Sequence, residues 1–295
     1  MKPHQTLVLG LDFGEASLLG LRATTDLCQR LDVQRLYIVH GAGTPGFADT
    51  VTGSHAKLLA AAEDQMARLD LSELEGIEIH RVVRSGPPAQ VVVEVAEQAR
   101  ADFIVLSSHR YGWIRRAVFG SVTSSILRTA EIPVLVLGPY RDLRFPLKRV
   151  TAAIDLSLSS QAVLASAVRF AQTHGAKTRV VTVAADPILD YDEASGPLRA
   201  DENVRQALRE ALEGELAKLC EAHGGAVSEQ AVLEGGAPTD TLLKDVTSYP
   251  ASLLVLGTSG HNTWERFALG STADRLAAEA PIPVLVIPVG APPVE

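Results

Sequence analysis

Part of this chain is written twice. Residues 101–137 read ADFIVLSSHRYGWIRRAVFGSVTSSILRTAEIPVLVL, and residues 251–287 read ASLLVLGTSGHNTWERFALGSTADRLAAEAPIPVLVI. They align without a gap at an offset of 150, placing Gly120-Ser121 on Gly270-Ser271 and Ile132–Val136 on Ile282–Val286. The starts of the copies also match, Thr6-Leu-Val-Leu-Gly-Leu-Asp12 against Val150-Thr-Ala-Ala-Ile-Asp155, here at an offset of 143. The second copy therefore carries about seven extra residues in its first half. The stretch 185–198, with Pro187, Gly196 and Pro197, is the expected place for them. A repeat of this length restricts the fold more than any composition does, because one architecture must close twice. The expected units are residues 1–140 and 146–295, joined by a linker at Gly138–Lys148 that contains Pro139 and Pro146.

Each copy alternates short apolar runs with amphipathic stretches. In the first, strands are expected near 6–11, 35–40, 79–84, 102–107 and 133–137, with helices near 15–30, 55–70, 88–100 and 121–130. In the second, strands are expected near 149–154, 178–184, 227–233, 252–257 and 283–287, with helices near 158–174, 199–223, 238–248 and 271–280. The strand runs are rich in Val, Ile and Leu and alternate little, which suits strands covered on both faces. Strands separated by helices imply right-handed βαβ units. The expected fold class is α/β, as two tandem doubly wound parallel-sheet domains of Rossmann-like form.

Composition narrows the partners. The net charge is -8 and no dense Lys/Arg run occurs, so a nucleic-acid partner is not expected. The N-terminal apolar run is short and is interrupted by Asp12 and Glu15. Neither a signal peptide nor a membrane span fits it, and the expected location is the cytoplasm. Cys28 and Cys220 are far apart and show no metal or redox spacing, so both read as reduced thiols.

The feature that carries chemistry is Gly257-Thr258-Ser259-Gly260, then nine residues, then Gly270-Ser271-Thr272. It follows an apolar strand and ends where a helix begins. Ligands of parallel sheets sit outside the carboxyl ends of the strands. Glycine lets a backbone approach a phosphate closely. The N–H groups of Gly270, Ser271 and Thr272 would face such a phosphate, aided by the helix dipole. The hydroxyls of Thr258, Ser259, Ser271 and Thr272 can add hydrogen bonds. The bland alternative is a strand-to-helix loop with Ser271 as an ordinary N-cap.

At these residues the chain resembles the universal stress proteins, and the resemblance covers nearly all of it. The family pattern G-x2-G-x9-G-[S/T], followed by a helix and a PVLVV-like strand, is met by Gly257, Gly260, Gly270 and Ser271. The resemblance implies an adenine nucleotide alpha hydrolase-like fold and an ATP site. It assigns Asp155 to the ribose and metal end, with Mg2+ bridging the phosphates and that carboxylate. It assigns the backbone of Val183 to the adenine. It also implies that Val134–Leu137 and Val284–Ile287 pair, either within one molecule as a pseudo-dimer or between two tandem chains. Asp155 also has a structural reading, as a cap for the following helix.

The first copy keeps Asp12 and Gly120-Ser121 but has Ser107 and Arg110 where the second has glycines. Ser107 adds a side chain where the backbone should approach closely. Arg110 adds a Cβ cost of about 1 kcal/mol at any positive φ, and its side chain can fill the phosphate space. The first copy has then either lost ATP or uses Arg110 to grip another anion. The expectation is one ATP per chain.

Three other patterns are decoys. Gly41-Ala-Gly43-Thr-Pro-Gly46 has dinucleotide spacing, but it follows the second strand of its repeat, and Pro45-Gly46-Phe47-Ala48-Asp49 reads on as loop. His109 and His261 fall in the two loops at unaligned positions, and Arg115, Arg116 and Arg266 read as a solvated face. No G-x4-G-K-[ST] loop is present. Three functions stay open at this level: an ATP-responsive binding module, a slow ATPase or phosphoryl-transfer enzyme, and a dimerisation scaffold with both sites empty.

Overall fold

A computed structural model describes residues 6–31, 33–46, 49, 52–107, 120–137, 146–185, 188–192, 196–199, 202–258 and 269–290. The first copy runs β1 (Thr6–Gly10), α1 (Glu15–Arg30), β2 (Arg35–Gly41), α2 (Ser54–Ala67), β3 (Glu78–Arg84), α3 (Pro88–Ala99), β4 (Phe103–Ser107), α4 (Ser121–Thr129) and β5 (Val134–Leu137). The second runs β6 (Arg149–Ala153), α5 (Ser160–Thr173), β7 (Lys177–Ala185), β8 (Ile188–Asp192), β9 (Gly196–Arg199), α6 (Glu202–Glu221), β10 (Val227–Gly235), α7 (Pro238–Ser248), β11 (Leu253–Gly257), α8 (Ser271–Glu279) and β12 (Val284–Ile287). The expected alternation is present. The extra residues of the second copy form an antiparallel hairpin, β8 with β9, which hydrophobic periodicity did not reveal. Most of the expected linker, residues 138–145, lies outside the described residues.

The ten long strands form one sheet in the order β10-β7-β6-β11-β12-β5-β4-β1-β2-β3. In this sheet the strands of each copy pair in parallel, and the antiparallel seam joins β5 to β12. Its register pairs Leu135 with Leu285, Val134 with Val286 and Val136 with Val284. Leu135 and Leu285 are equivalent in the repeat, so a pseudo-two-fold axis passes through that pair. Ser124 and Asp274, also equivalent, meet on the same axis, the Ser124 hydroxyl donating to Asp274 Oδ1 at 3.1 Å.

Alternate strand residues face opposite helical layers. Phe103 and Val105 of β4 join the layer made with α1, α2, α5 and α6, while Ile104 and Leu106 join the layer made with α3, α4, α7 and α8. Both layers run across the seam. Phe103 of the first copy meets Phe170 of the second edge to face, with ring centroids 6.1 Å apart. Because the cores are shared, the copies are expected to unfold as one unit. No helix among the described residues is long and apolar enough to cross a membrane.

Cys28 is on the buried face of α1, 1% exposed, and burial pushes its thiol up from 9.0 to about 12. The unfolded chain ionises at this position first. The thiol's contribution to stability is therefore intact below about pH 9 and is lost as pH rises toward 12. A thiol reagent at pH 8 should label Cys28 only at the rate of unfolding. Rapid labelling of Cys28 in the folded protein would contradict its placement.

Candidate functional site

In each copy the first strand lies between neighbours reached by opposite turns of the chain, β6 between β7 and β11 and β1 between β2 and β4. That is where a doubly wound sheet opens a crevice at its carboxyl edge. Ala153 pairs with Leu256, so the turn at Asp155 and the loop beginning at Gly257 leave adjacent strand ends.

Both aspartates stand in the same local turn. Asp155 Oδ1 accepts the Ser157 N–H at 3.1 Å and the Ser160 hydroxyl at 3.2 Å. Asp12 Oδ1 accepts the Gly14 N–H at 2.9 Å and the Ser17 hydroxyl. The next residue is left-handed in both, Leu156 and Phe13 each having φ 61°. A non-glycine residue there costs about 1–2 kcal/mol, and such strain gathers at functional loops. Asp155 is exposed. The helix after it, α5, has Ser159 as its N-cap with no capping bond from the Ser159 side chain, and through Ser160, its first residue, Asp155 is tied to the helix start.

At the far end of the glycine loop, Gly270 caps α8 with φ -63° and ψ 144° and with no side-chain cap. Its own N–H donates to the Thr258 carbonyl at 2.6 Å. This corrects one expectation: the Gly270 N–H ties the loop's two ends together and does not point at a ligand. The first-turn N–H groups of Ser271 and Thr272 are those that a helix start leaves for outside partners. The hydroxyls are also partly committed. Thr258 is buried and its hydroxyl accepts the Val289 N–H at 3.2 Å. The Thr272 hydroxyl accepts a hydrogen bond from Thr239 at 3.3 Å. Ser271 is exposed. Ser259, Gly260, Arg110, His109 and His261, with Arg115, Arg116 and Arg266, lie outside the described residues.

The first copy departs from the second in a way the sequence misassigned. Ser107 does not point at the loop. Its side chain enters the α1 layer, where a Cβ added to Gly20 would lie 1.6 Å from the Ser107 Oγ. The equivalents in the second copy are Gly257 and Val163, the latter 2% exposed in the α5 layer. One copy sets serine on the strand against glycine on the helix, and the other sets glycine against valine. The loss of glycine at 107 is thus compensated in the core. Gly120 begins α4 as Gly270 begins α8, again without a side-chain cap.

The strand ends that would face the base also differ. By register, Gly41 is the counterpart of Val183. A Cβ on Gly41 would lie 2.5 Å from Pro88 Cα, so α3 rides directly on β2, whereas half-buried Val183 stands at the same place in the second copy. Gly43 bridges Gly86 in the antiparallel sense. These glycines serve a packing contact and not a dinucleotide fingerprint.

The model of the Universal stress protein family matches the chain twice, over residues 3–138 and 146–288. A universal stress protein of Mycobacterium tuberculosis is 30% identical over 240 residues, covering 78% of this chain and 80% of the relative. Among solved structures, a universal stress protein from Archaeoglobus fulgidus superposes with a TM-score of 0.70 at 18% identity, covering 98% of this chain and 100% of that one. A Pseudomonas aeruginosa structure described as a putative universal stress protein gives a TM-score of 0.62 at 16% identity, covering 97% and 93%. At these identities the structural likenesses speak to the fold alone.

Proposed function

The chain belongs to the universal stress protein family, and on that premise we propose that its second copy, within residues 146–295, binds one ATP per chain and acts as a nucleotide-responsive stress or signalling module. The observation that carries this reading is the meeting of two features at neighbouring strand ends. One is the strained Asp155-Leu156 turn. The other is the glycine loop whose ends are drawn together at Thr258 and Gly270, leaving an uncapped helix start. Ser271 and Thr272 would hold phosphate through their backbone N–H groups, and Gly260 would complete the loop. Asp155 would stand at the ribose, and the backbone of Val183 at the base.

Among the described residues no group of three His, Cys, Asp or Glu side chains could hold a metal. Mg2+ would arrive with the nucleotide, held by phosphate oxygens and one carboxylate, for which Asp155 is the candidate. The loop contains no lysine, and hydrolysis also needs a positioned water and a base. The site reads as one that holds ATP. The first copy, within residues 1–140, carries Arg110 in place of a glycine and serves as the structural partner across the seam.

The test is a count. Equilibrium dialysis with Mg-ATP should give one nucleotide per chain, and Gly260→Arg, which copies the first repeat, should give none. At ten times its dissociation constant, ATP should add about 1.4 kcal/mol to the wild type, a rise in melting temperature of roughly 3 °C for a unit of this size. Two nucleotides per chain, or an unchanged rise in the variant, would overturn the assignment.

A further inference from the structure

A cleft of about 620 Å³ opens on the same carboxyl edge of the sheet, between the first half of α6 and the ends of β7 and β10. Its size falls within the usual small-molecule range of about 300–1,000 Å³. Ala184, Ala185, Gly235 and Gly236 line it at the strand ends, so these positions put no large side chain into it. The wall is charged, and both of its arginines are already paired. Arg209 pairs with Glu213 at 2.9 Å and with Glu234, Arg205 pairs with Glu202 at 3.3 Å, and Gln206 donates to Glu210 at 2.9 Å. Four glutamates and two arginines line the space. A further phosphate would be repelled there, and a neutral group would not.

The corresponding strand ends of the first copy are held in their own way. Gly86 donates to the Gly43 carbonyl at 2.9 Å, and Ala42 to the Arg84 carbonyl at 2.9 Å. His55 Nε2 of α2 lies 2.8 Å from the Ser85 hydroxyl, stapling the helix to the strand end. By register the counterpart of Ser85 is Glu234, which pairs with Arg209 of α6, so that here a long arginine rather than a histidine ring links the helix to the strand end.

We propose that this cleft receives a neutral substituent carried on the base of the nucleotide held by the second copy, so that the site accepts base-extended adenine nucleotides. The inference rests on the ATP reading above. With the base against the backbone of Val183, the next two residues of β7, Ala184 and Ala185, advance about 3.3 Å each into the cleft. A group attached to the facing edge of the base, at its exocyclic amine, would follow that line and meet these small, uncharged residues.

The probes are ATP and N6-benzyl-ATP, titrated into the full-length chain. Wild type should bind the two within about threefold of each other. Gly236→Trp should fill the cleft; a Cβ at this position meets nothing within 4 Å, so the fold should tolerate it. The variant should keep its ATP affinity and lose at least about tenfold toward N6-benzyl-ATP. Gln206→Trp, on the exposed face of α6, offers a second way to fill the space and should act alike. ATP binding to each variant reports that it is folded. If ATP binds wild type and N6-benzyl-ATP does not, or if both variants bind N6-benzyl-ATP as wild type does, the cleft proposal is overturned. If ATP itself does not bind wild type, the nucleotide reading fails instead.

Discussion

Asp245→Ala should destabilise the protein by about 3–5 kcal/mol, the usual cost of stripping a buried charge of its partner. The charge is Arg179 on β7, with a side chain only 7% exposed, and Asp245 on α7 is 11% exposed. The pair is bidentate, Nη1 to Oδ2 at 2.7 Å and Nη2 to Oδ1 at 3.0 Å. Arg179 Nε also reaches Glu229 at 3.0 Å, and its guanidinium lies 4.0 Å from the centre of the Tyr249 ring. Tyr249 in turn donates its hydroxyl to Glu229 at 2.8 Å. Burial opposes the charge on Arg179, but Asp245 and Glu229 outweigh it and hold the guanidinium pKa above its ordinary value. Removing Asp245 leaves half-exposed Glu229 as the remaining counter-charge and opens two unmet donors. Arg179→Met with Asp245→Leu removes both charges together and should cost far less, because no uncompensated ion remains. Urea unfolding of the wild type and the two variants would decide it, read as a shift of midpoint at constant slope. A loss under about 1 kcal/mol for Asp245→Ala would mean that water already shares this guanidinium.

That cluster marks where the sequence stopped being legible. The strands were readable because Val, Ile and Leu runs such as Leu253–Leu256 are buried on both faces, and local composition records this. The glycine loop was readable because close backbone approach selects a residue type at fixed spacing. Arg179 and Asp245 are 66 positions apart, and nothing local says that they meet. The repeat gives no help either, since the register counterpart of Arg179 is Tyr37, which stacks on His80 at 4.3 Å. The β8–β9 hairpin was hidden for another reason: its residues have no counterpart in the internal alignment, and its short sequence carries no hydrophobic period to reveal it. The commitment of the Gly270 N–H to Thr258 is a tertiary fact that spacing cannot carry. A signal was available for Ser107. The two copies form an internal alignment, and they differ together at 107 against 257 and at 20 against 163.

That joint difference predicts the outcome of a swap. Gly20→Val alone should destabilise the first copy by about 2–3 kcal/mol, because a Cβ there would lie 1.6 Å from the Ser107 Oγ in a packed layer with little room to yield. Ser107→Gly alone should cost less, about 1 kcal/mol, from a small void and a more flexible strand end. Among the described residues the buried Ser107 hydroxyl has no hydrogen-bond partner, so its removal also relieves a desolvated group. The double variant reproduces the Gly257 and Val163 pair of the second copy and should recover most of the loss. The coupling energy expected from the cycle is therefore favourable and above about 1 kcal/mol. Additive losses would mean that the two sites relax independently and that serine at 107 was not accommodated by glycine at 20. The double variant also bears on function. It restores one loop glycine with the core intact, yet it should bind no ATP, because Arg110 still stands where the second copy has Gly260. Adding Arg110→Gly to it then isolates that arginine. Nucleotide uptake by the triple variant and not by the double would make Arg110 the residue that silences the first site.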